Sequence, residues 1–279
     1  MKTTALITIL AAMAALDAHA GSGKATVPPV TPPEDPLFTG SLSVGYDTEY
    51  YFRGLWFSSN NVWGGLNLSI PLADKLSLGL GGLYTYSADT DISGVGTLDY
   101  SELDLIASLN YDAGFARFGL VFTNYSFFDT FSGSTSAGTF GFPEAPDSTL
   151  KDARDLGLTM AVPLGNATIY LGGYWDFRIE APYFEVGADY TIKITESFSL
   201  VPSANIGYGN NYYSYPEIGN DKSGFTAVRV GLAAPYKLTD SFTITPYIAG
   251  NLSLDTREGL NTVRGANDLF GGVAMSYAF

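Results

Sequence analysis

Apolar and polar side chains alternate along most of this chain. Between Leu269 and Phe279, Leu269, Gly271, Val273, Met275, Tyr277 and Phe279 fall on one side and Phe270, Gly272, Ala274, Ser276 and Ala278 on the other. A period of two is the mark of a strand, whose successive side chains leave on opposite faces. Comparable segments recur at approximately 41–54, 62–72, 75–87, 98–111, 115–128, 150–163, 167–180, 182–193, 197–210, 223–237, 240–254 and 267–279, an even set of twelve. The joins after even-numbered segments are tight: Ala73-Asp74, Asp112-Ala113-Gly114, Gly165-Asn166, Glu196 and Thr239-Asp240. Those after odd-numbered segments are longer, at 55–61, 88–97, 129–149, 211–222 and 256–266, with a short join near Glu180-Ala181 as the exception.

The two faces differ in a way that sets the fold class. In the first segment Leu42, Val44, Tyr46, Tyr50 and Phe52 share one face, and Ser43, Gly45, Asp47, Glu49 and Arg53 the other. The eighth sets Phe184, Val186, Ala188, Tyr190 and Ile192 against Glu185, Gly187, Asp189 and Thr191. A soluble β-sandwich alternates too, but it does not line its buried side with several carboxylates. Apolar faces toward lipid and polar faces toward an enclosed lumen, with short turns on one rim and long loops on the other, predict an all-β fold: a transmembrane antiparallel up-and-down β-barrel of about twelve strands. Tyr (19), Phe (18) and Gly (32) suit that arrangement, with aromatics at the lipid interfaces and small residues inside. The barrel is expected over 40–279. Residues 1–20 read as a secretory signal peptide, with a basic start, an apolar run from Ala5 to Leu16 and Ala18-His19-Ala20 for cleavage. The segment 21–39, with Pro28, Pro29, Pro32, Pro33 and Pro36, reads as an extended periplasmic lead-in.

Inventory narrows the chemistry. The chain has no cysteine, and its one histidine, His19, lies in the leader, which removes disulfides, thiol catalysis, Ser-His pairs and His-based metal sites. No catalytic residue and no cofactor are expected. A formal net charge of -14 argues against nucleic acid as a partner. The expected lumen wall comprises Asp47, Glu49, Arg53, Glu102, Asp104, Asp155, Asp176, Arg178, Glu185, Asp189 and Arg229, an acidic excess that would favour cations. These charges could line a narrow passage or pair into a network that plugs it. The loop 129–149 carries Phe131, Phe140 and Phe142, and is expected to fold into the mouth as a constriction. Asp89, Asp91 and Ser93 match the opening of a calcium loop, but Tyr100 stands where a bidentate Glu belongs, so no metal site is expected.

Two resemblances add to this reading. The terminal strand, ending in Tyr277-Ala278-Phe279, resembles the closing strand of bacterial outer-membrane β-barrels, which implies that Tyr277 and Phe279 are read by the barrel-assembly machinery. Tyr50-Tyr51-Phe52-Arg53-Gly54, after Val44-Gly45-Tyr46-Asp47, resembles the Y-x-F-R-G segment of the Gcw_chp type, a family of bacterial outer-membrane proteins without an assigned activity. Where that family continues with Ser and Gln, this chain has Leu55-Trp56-Phe57. Together these imply a barrel in the bacterial outer membrane, in contact with its lipid and lipopolysaccharide. The expected function is a narrow porin-like channel for small neutral or cationic solutes. The alternative is a non-conducting barrel whose loops bind lipopolysaccharide or a protein.

Overall fold

Strand alternation and strand closure together build the architecture. The computed structural model describes residues 37–92, 96–128, 130–133, 152–212, 222–255 and 267–279. Its strands are β1 (Thr39–Phe52), β2 (Leu55–Ala73), β3 (Leu76–Ile92), β4 (Gly96–Asp112), β5 (Arg117–Phe127), β6 (Thr130–Gly133), β7 (Ala153–Leu164), β8 (Ala167–Asp176), β9 (Ala181–Tyr190), β10 (Ile192–Lys193), β11 (Ser199–Gly209), β12 (Gly224–Ala233), β13 (Tyr236–Lys237), β14 (Phe242–Ser253) and β15 (Asn267–Ala278). Three are short continuations of the strand before them: β6 prolongs β5 along β4, β10 prolongs β9 along β11, and β13 prolongs β12 along β14. Twelve staves result, all antiparallel, each paired with its sequence neighbours.

The ring closes where the ends of the barrel meet. Ser41 to Asp47 of β1 pair with Ala278 to Gly272 of β15, and Gly40 and Phe279 exchange both backbone hydrogen bonds, at 2.9 and 3.0 Å. Both ends therefore lie on one rim, together with the tight turns at Asp74-Lys75 and Gly165-Asn166. Phe279 packs edge-on against Phe38 and stacks with Tyr277 there.

Side chains sort as the alternation predicts. Every stave carries large apolar residues outward, among them Leu42, Leu66, Leu80, Leu105, Leu120, Leu158, Leu171, Val186, Tyr208, Val230, Ile248 and Leu269. Asp47, Glu102, Asp104, Asp155, Asp189 and Arg229 are buried inside. Leaving a Leu in water forgoes about 1.5–3 kcal/mol, so a surface of this kind is stable only against lipid. Outward aromatics gather toward each rim, with Tyr84, Tyr86, Trp175, Phe184 and Phe225 toward the loops and Tyr111, Phe115, Tyr190, Tyr236 and Tyr277 toward the termini. Inside, large rings lie across the ladder from glycines: Trp63 faces Gly45, Tyr170 faces Gly187 and Tyr174 faces Gly157.

The structure corrects several boundaries. Residues 55–61, expected as a loop, are strand, because the first turn is made by Arg53-Gly54 alone. Strands β3 and β4 run into 88–97 to Ile92 and from Gly96. Tyr50 and Phe52 do not face lipid; β1 parts from β15 after Asp47 and β2 joins β3 only from Val62, so the hairpin between them turns inward, and its ladder slips by one residue between Tyr50 and Tyr51. The fifth segment, which alternation alone leaves without a register, places Arg117, Val121 and Tyr125 inside and Phe118, Leu120 and Phe122 outside.

Leu158 lies at the middle of β7 and is 68% exposed. Leu158→Arg is expected to lower unfolding free energy in lipid vesicles by about 2–4 kcal/mol. Thr159→Ser, on the inward face, should change it by less than about 1 kcal/mol. Urea titration followed by tryptophan fluorescence checks both, and an unaffected Leu158→Arg protein would mean that this face meets water.

Candidate functional site

Three consecutive aromatics, Tyr50-Tyr51-Phe52, cannot keep to one face of a strand, and they lie where the β1–β2 hairpin has parted from both neighbouring staves, past Asp47 and before Val62, with a one-residue bulge between Tyr50 and Tyr51. Beyond it Phe52 pairs with Leu55 around a two-residue turn, with Arg53 at φ 48° and Gly54 at φ 84°. Positive φ at both central positions is the type I′ geometry whose twist suits a hairpin. Glycine takes it freely, whereas arginine there sits in a region that L-residues avoid by roughly 1–2 kcal/mol. The side chain must therefore contribute something that offsets the backbone.

That contribution is a contact across the lumen. In the ring of staves β8 stands opposite β1, and the hairpin reaches that far wall. Arg53 Nη2 donates to Asp155 Oδ2 of β7 at 2.7 Å, with both side chains 1% exposed, and Nη1 donates to the Tyr212 hydroxyl beyond β11. Its Cζ lies 4.4 Å from the ring centroid of Tyr174 (β8), 4.9 Å from Tyr183 (β9), 5.2 Å from Tyr212 and 4.7 Å from its own neighbour Phe52. These distances are those of cation–π contacts. A guanidinium thus sits boxed by four rings, with a carboxylate at one edge.

The wall has its own supports for this box. Tyr125 donates to the same Asp155 oxygen at 2.8 Å, and the Tyr174 hydroxyl donates to Glu185 at 3.1 Å. A Cβ at Gly157 or Gly172 would come within 2.5 or 2.7 Å of the Tyr174 ring, so the glycines make the space in which that ring lies. Tyr183 packs against Tyr212 with ring centroids 5.1 Å apart and planes tilted by 50°.

Other contacts fasten the hairpin around the circumference. Arg229 Nη2 of β12 donates to the Tyr51 carbonyl at 3.1 Å and lies 5.4 Å from the Phe270 ring; the Tyr51 hydroxyl donates to Asp268 at 2.8 Å. The Tyr50 and Tyr100 hydroxyls both donate to Glu102 Oε2, at 3.0 and 2.6 Å. Trp56 Nε1 and Ser59 Oγ donate to Glu49 Oε2 at 2.7 and 2.8 Å, which ties the two arms of the hairpin together. Leu55 packs on Tyr174, Ala181, Tyr183 and Tyr212, and Trp56 on the cluster of Tyr51, Tyr247 and Phe270.

The expected lumen residues divide accordingly. Glu49, Arg53, Glu102, Asp155, Glu185 and Arg229 all belong to the hairpin or to what holds it. Asp104 is buried two residues from Glu102 on the same face; Asp47 accepts from the Tyr247 hydroxyl and Asp189 from that of Tyr170 on the wall. Asp176 is buried but ends β8 by accepting the backbone N–H groups of Arg178 and Ile179 at 2.8 and 3.2 Å. Arg178 departs from expectation: β8 stops at Asp176, so Arg178 lies on the rim turn, not on the wall. Toward the terminal rim many inward positions are small and uncharged, as at Ser43, Asn67, Ser108, Thr159, Ser203 and Ser276, with Arg117, Tyr170 and Asp189 among them as larger exceptions. Phe131 falls in β6, where its backbone pairs with Leu98; its side chain, Phe140 and Phe142 lie outside the described residues. Asp89 and Asp91 lie on β3 with side chains that are not described, and Ser93 is outside the described residues. Among the described residues no three potential ligands gather as a metal site. Tyr174 and Tyr183 are not among the expected lumen residues, although they share the alternation of Asp176 and Glu185, which is the signal that finds them; Tyr212, beyond the strand, has no such signal.

The chain is similar in structure to an outer-membrane channel from Pseudomonas putida F1, at a TM-score of 0.54 and 16% identity over 90% of this chain and 100% of that one. It is similar also to the translocator domain of the autotransporter NalP from Neisseria meningitidis, at a TM-score of 0.50 and 11% identity over 99% and 100%. The fold is that of outer-membrane β-barrels. No protein-family model and no curated protein matches the chain, and the Gcw_chp resemblance is not confirmed.

Breaking a buried pair from one side costs about 3–5 kcal/mol. Arg53→Ala is expected to lower stability by that order, and Arg53→Met combined with Asp155→Leu to lower it less than either single change. Urea unfolding in vesicles reads this; losses below about 1 kcal/mol in both single variants would mean that the pair is solvated.

Proposed function

We propose that this protein is an outer-membrane channel for small neutral or cationic solutes, and that the β1–β2 hairpin is its constriction, closed in this conformation. The observation that carries the reading is the path of the hairpin, which leaves the wall beyond Asp47 and crosses to Asp155, Tyr174 and Tyr183 on the far side. Its anchorage combines aromatic packing with polar contacts. Hydroxyls, the Arg53–Asp155 pair and backbone carbonyls supply the polar part, and such groups can exchange their partners for water when the hairpin lifts. An aliphatic core would offer no comparable route.

Charge supports the solute class. With the hairpin docked, Arg53 offsets Asp155; once it lifts, the wall retains Asp47, Glu102, Asp104, Asp155, Glu185 and Asp189 against Arg117 and Arg229. An acidic ring favours cations and tolerates neutral solutes. The channel from Pseudomonas putida that this barrel resembles in fold is in keeping with conduction. The terminal aromatics Tyr277 and Phe279, exposed on the rim where the ring closes, suit recognition by the barrel-assembly machinery.

Replacing Tyr51–Trp56 by a two-residue Asn-Gly turn should convert a mostly closed barrel in planar bilayers into a persistently conducting one. Reversal potentials across a salt gradient should then show cation preference. A folded, heat-modifiable deletion variant that stays silent would instead support a non-conducting barrel acting through its loops.

A further inference from the structure

The box around Arg53 has two owners. Phe52 and Arg53 arrive with the hairpin, whereas Tyr174, Tyr183, Tyr212, Asp155 and their supports Tyr125, Glu185, Gly157 and Gly172 belong to the barrel wall or to the residues just beyond β11. Lifting the hairpin would leave three tyrosine rings and a buried carboxylate in place. From this we propose that the wall carries a recognition site for solutes bearing a guanidinium group, and that Arg53 is its tethered occupant, which such a solute displaces.

The chemistry of the box defines the ligand. Ring faces at 4.4, 4.9 and 5.2 Å from Cζ select a flat, weakly hydrated cation. One fork nitrogen meets Asp155 Oδ2 at 2.7 Å and the other the Tyr212 hydroxyl, which suits the planar fork of a guanidinium better than the compact, strongly hydrated charge of a primary ammonium. A neutral urea has the shape without the charge and gains nothing from the rings or the carboxylate. The position also matters. The occupant lies where the hairpin meets the far wall, so a solute that takes the site removes the contact that holds the hairpin across the lumen. Because a tethered group competes at an effective concentration in the millimolar range, free solute must reach about that level to displace it.

Opening by displacement rests on the channel reading; binding at the emptied site does not. The test uses the full barrel carrying Arg53→Ala, with methylguanidinium, methylammonium and urea as probes at millimolar concentration. Methylguanidinium is expected to bind, by calorimetry, and to raise the thermal midpoint of this variant, about tenfold more tightly than methylammonium, with urea inert. Adding Asp155→Asn or Tyr183→Leu should weaken binding about tenfold. In the wild type, methylguanidinium should raise open probability in planar bilayers several-fold. Equal binding of urea and methylguanidinium, or binding indifferent to Asp155→Asn, would overturn the site. Selective binding that leaves wild-type conductance unchanged would overturn displacement as the means of opening. Selective binding to a barrel whose hairpin deletion never conducts would retain the site and overturn the channel. Should Arg53→Ala fail to assemble, Arg53→Met and the hairpin deletion serve for the same titration, and loss of selectivity in both would overturn the site equally.

Discussion

Lipid offers no hydrogen bonds to a backbone, so a sheet that crosses a membrane must satisfy every strand within itself. That requirement forces β1 onto β15 and makes Gly40 and Phe279 exchange both of their backbone bonds. Much else follows from the closure. A ring has an inside, the inside receives the polar face of each stave, and the carboxylates collected there must find partners or water. The hairpin brings many of those partners.

The inward turn of β1 and β2 thus answers two demands at once. It supplies hydroxyl, indole and guanidinium donors to Glu102, Glu49 and Asp155, which sit in three different staves, and it fills a lumen that a ring of twelve staves with glycine and serine on its inner face would leave wide. The unfavourable backbone at Arg53 belongs to the same account: the left-handed turn is offset by the most heavily buried ion pair among the described residues.

Much of the fold was legible in the sequence because period-two alternation reports directly on which solvent each side chain meets. Leu42, Val44 and Tyr46 against Asp47 and Glu49, or Phe184 and Val186 against Glu185, point as their spacing requires. Alternation reports on faces of a wall, however, and is blind where a strand leaves the wall. Tyr50 and Phe52 were placed outward for that reason, although three aromatics in succession already violate the period. Arg178 departs differently: alternation carries the strand onward, whereas Asp176 ends it and opens a turn. The Arg53–Asp155 pairing, 102 residues apart, leaves no trace in local pattern at all, because it depends on which stave of the ring stands opposite which.

Arg53 also has an electrical consequence. It carries one elementary charge on the tip of a hairpin that joins the wall only at Asp47 and Val62, so any excursion of that tip along the barrel axis moves charge through the membrane field. Carrying a full charge across the whole membrane does about 2.3 kcal/mol of work per 100 mV. A partial excursion does a proportionate share, and a Donnan potential negative on the periplasmic side would pull the tip toward the periplasm.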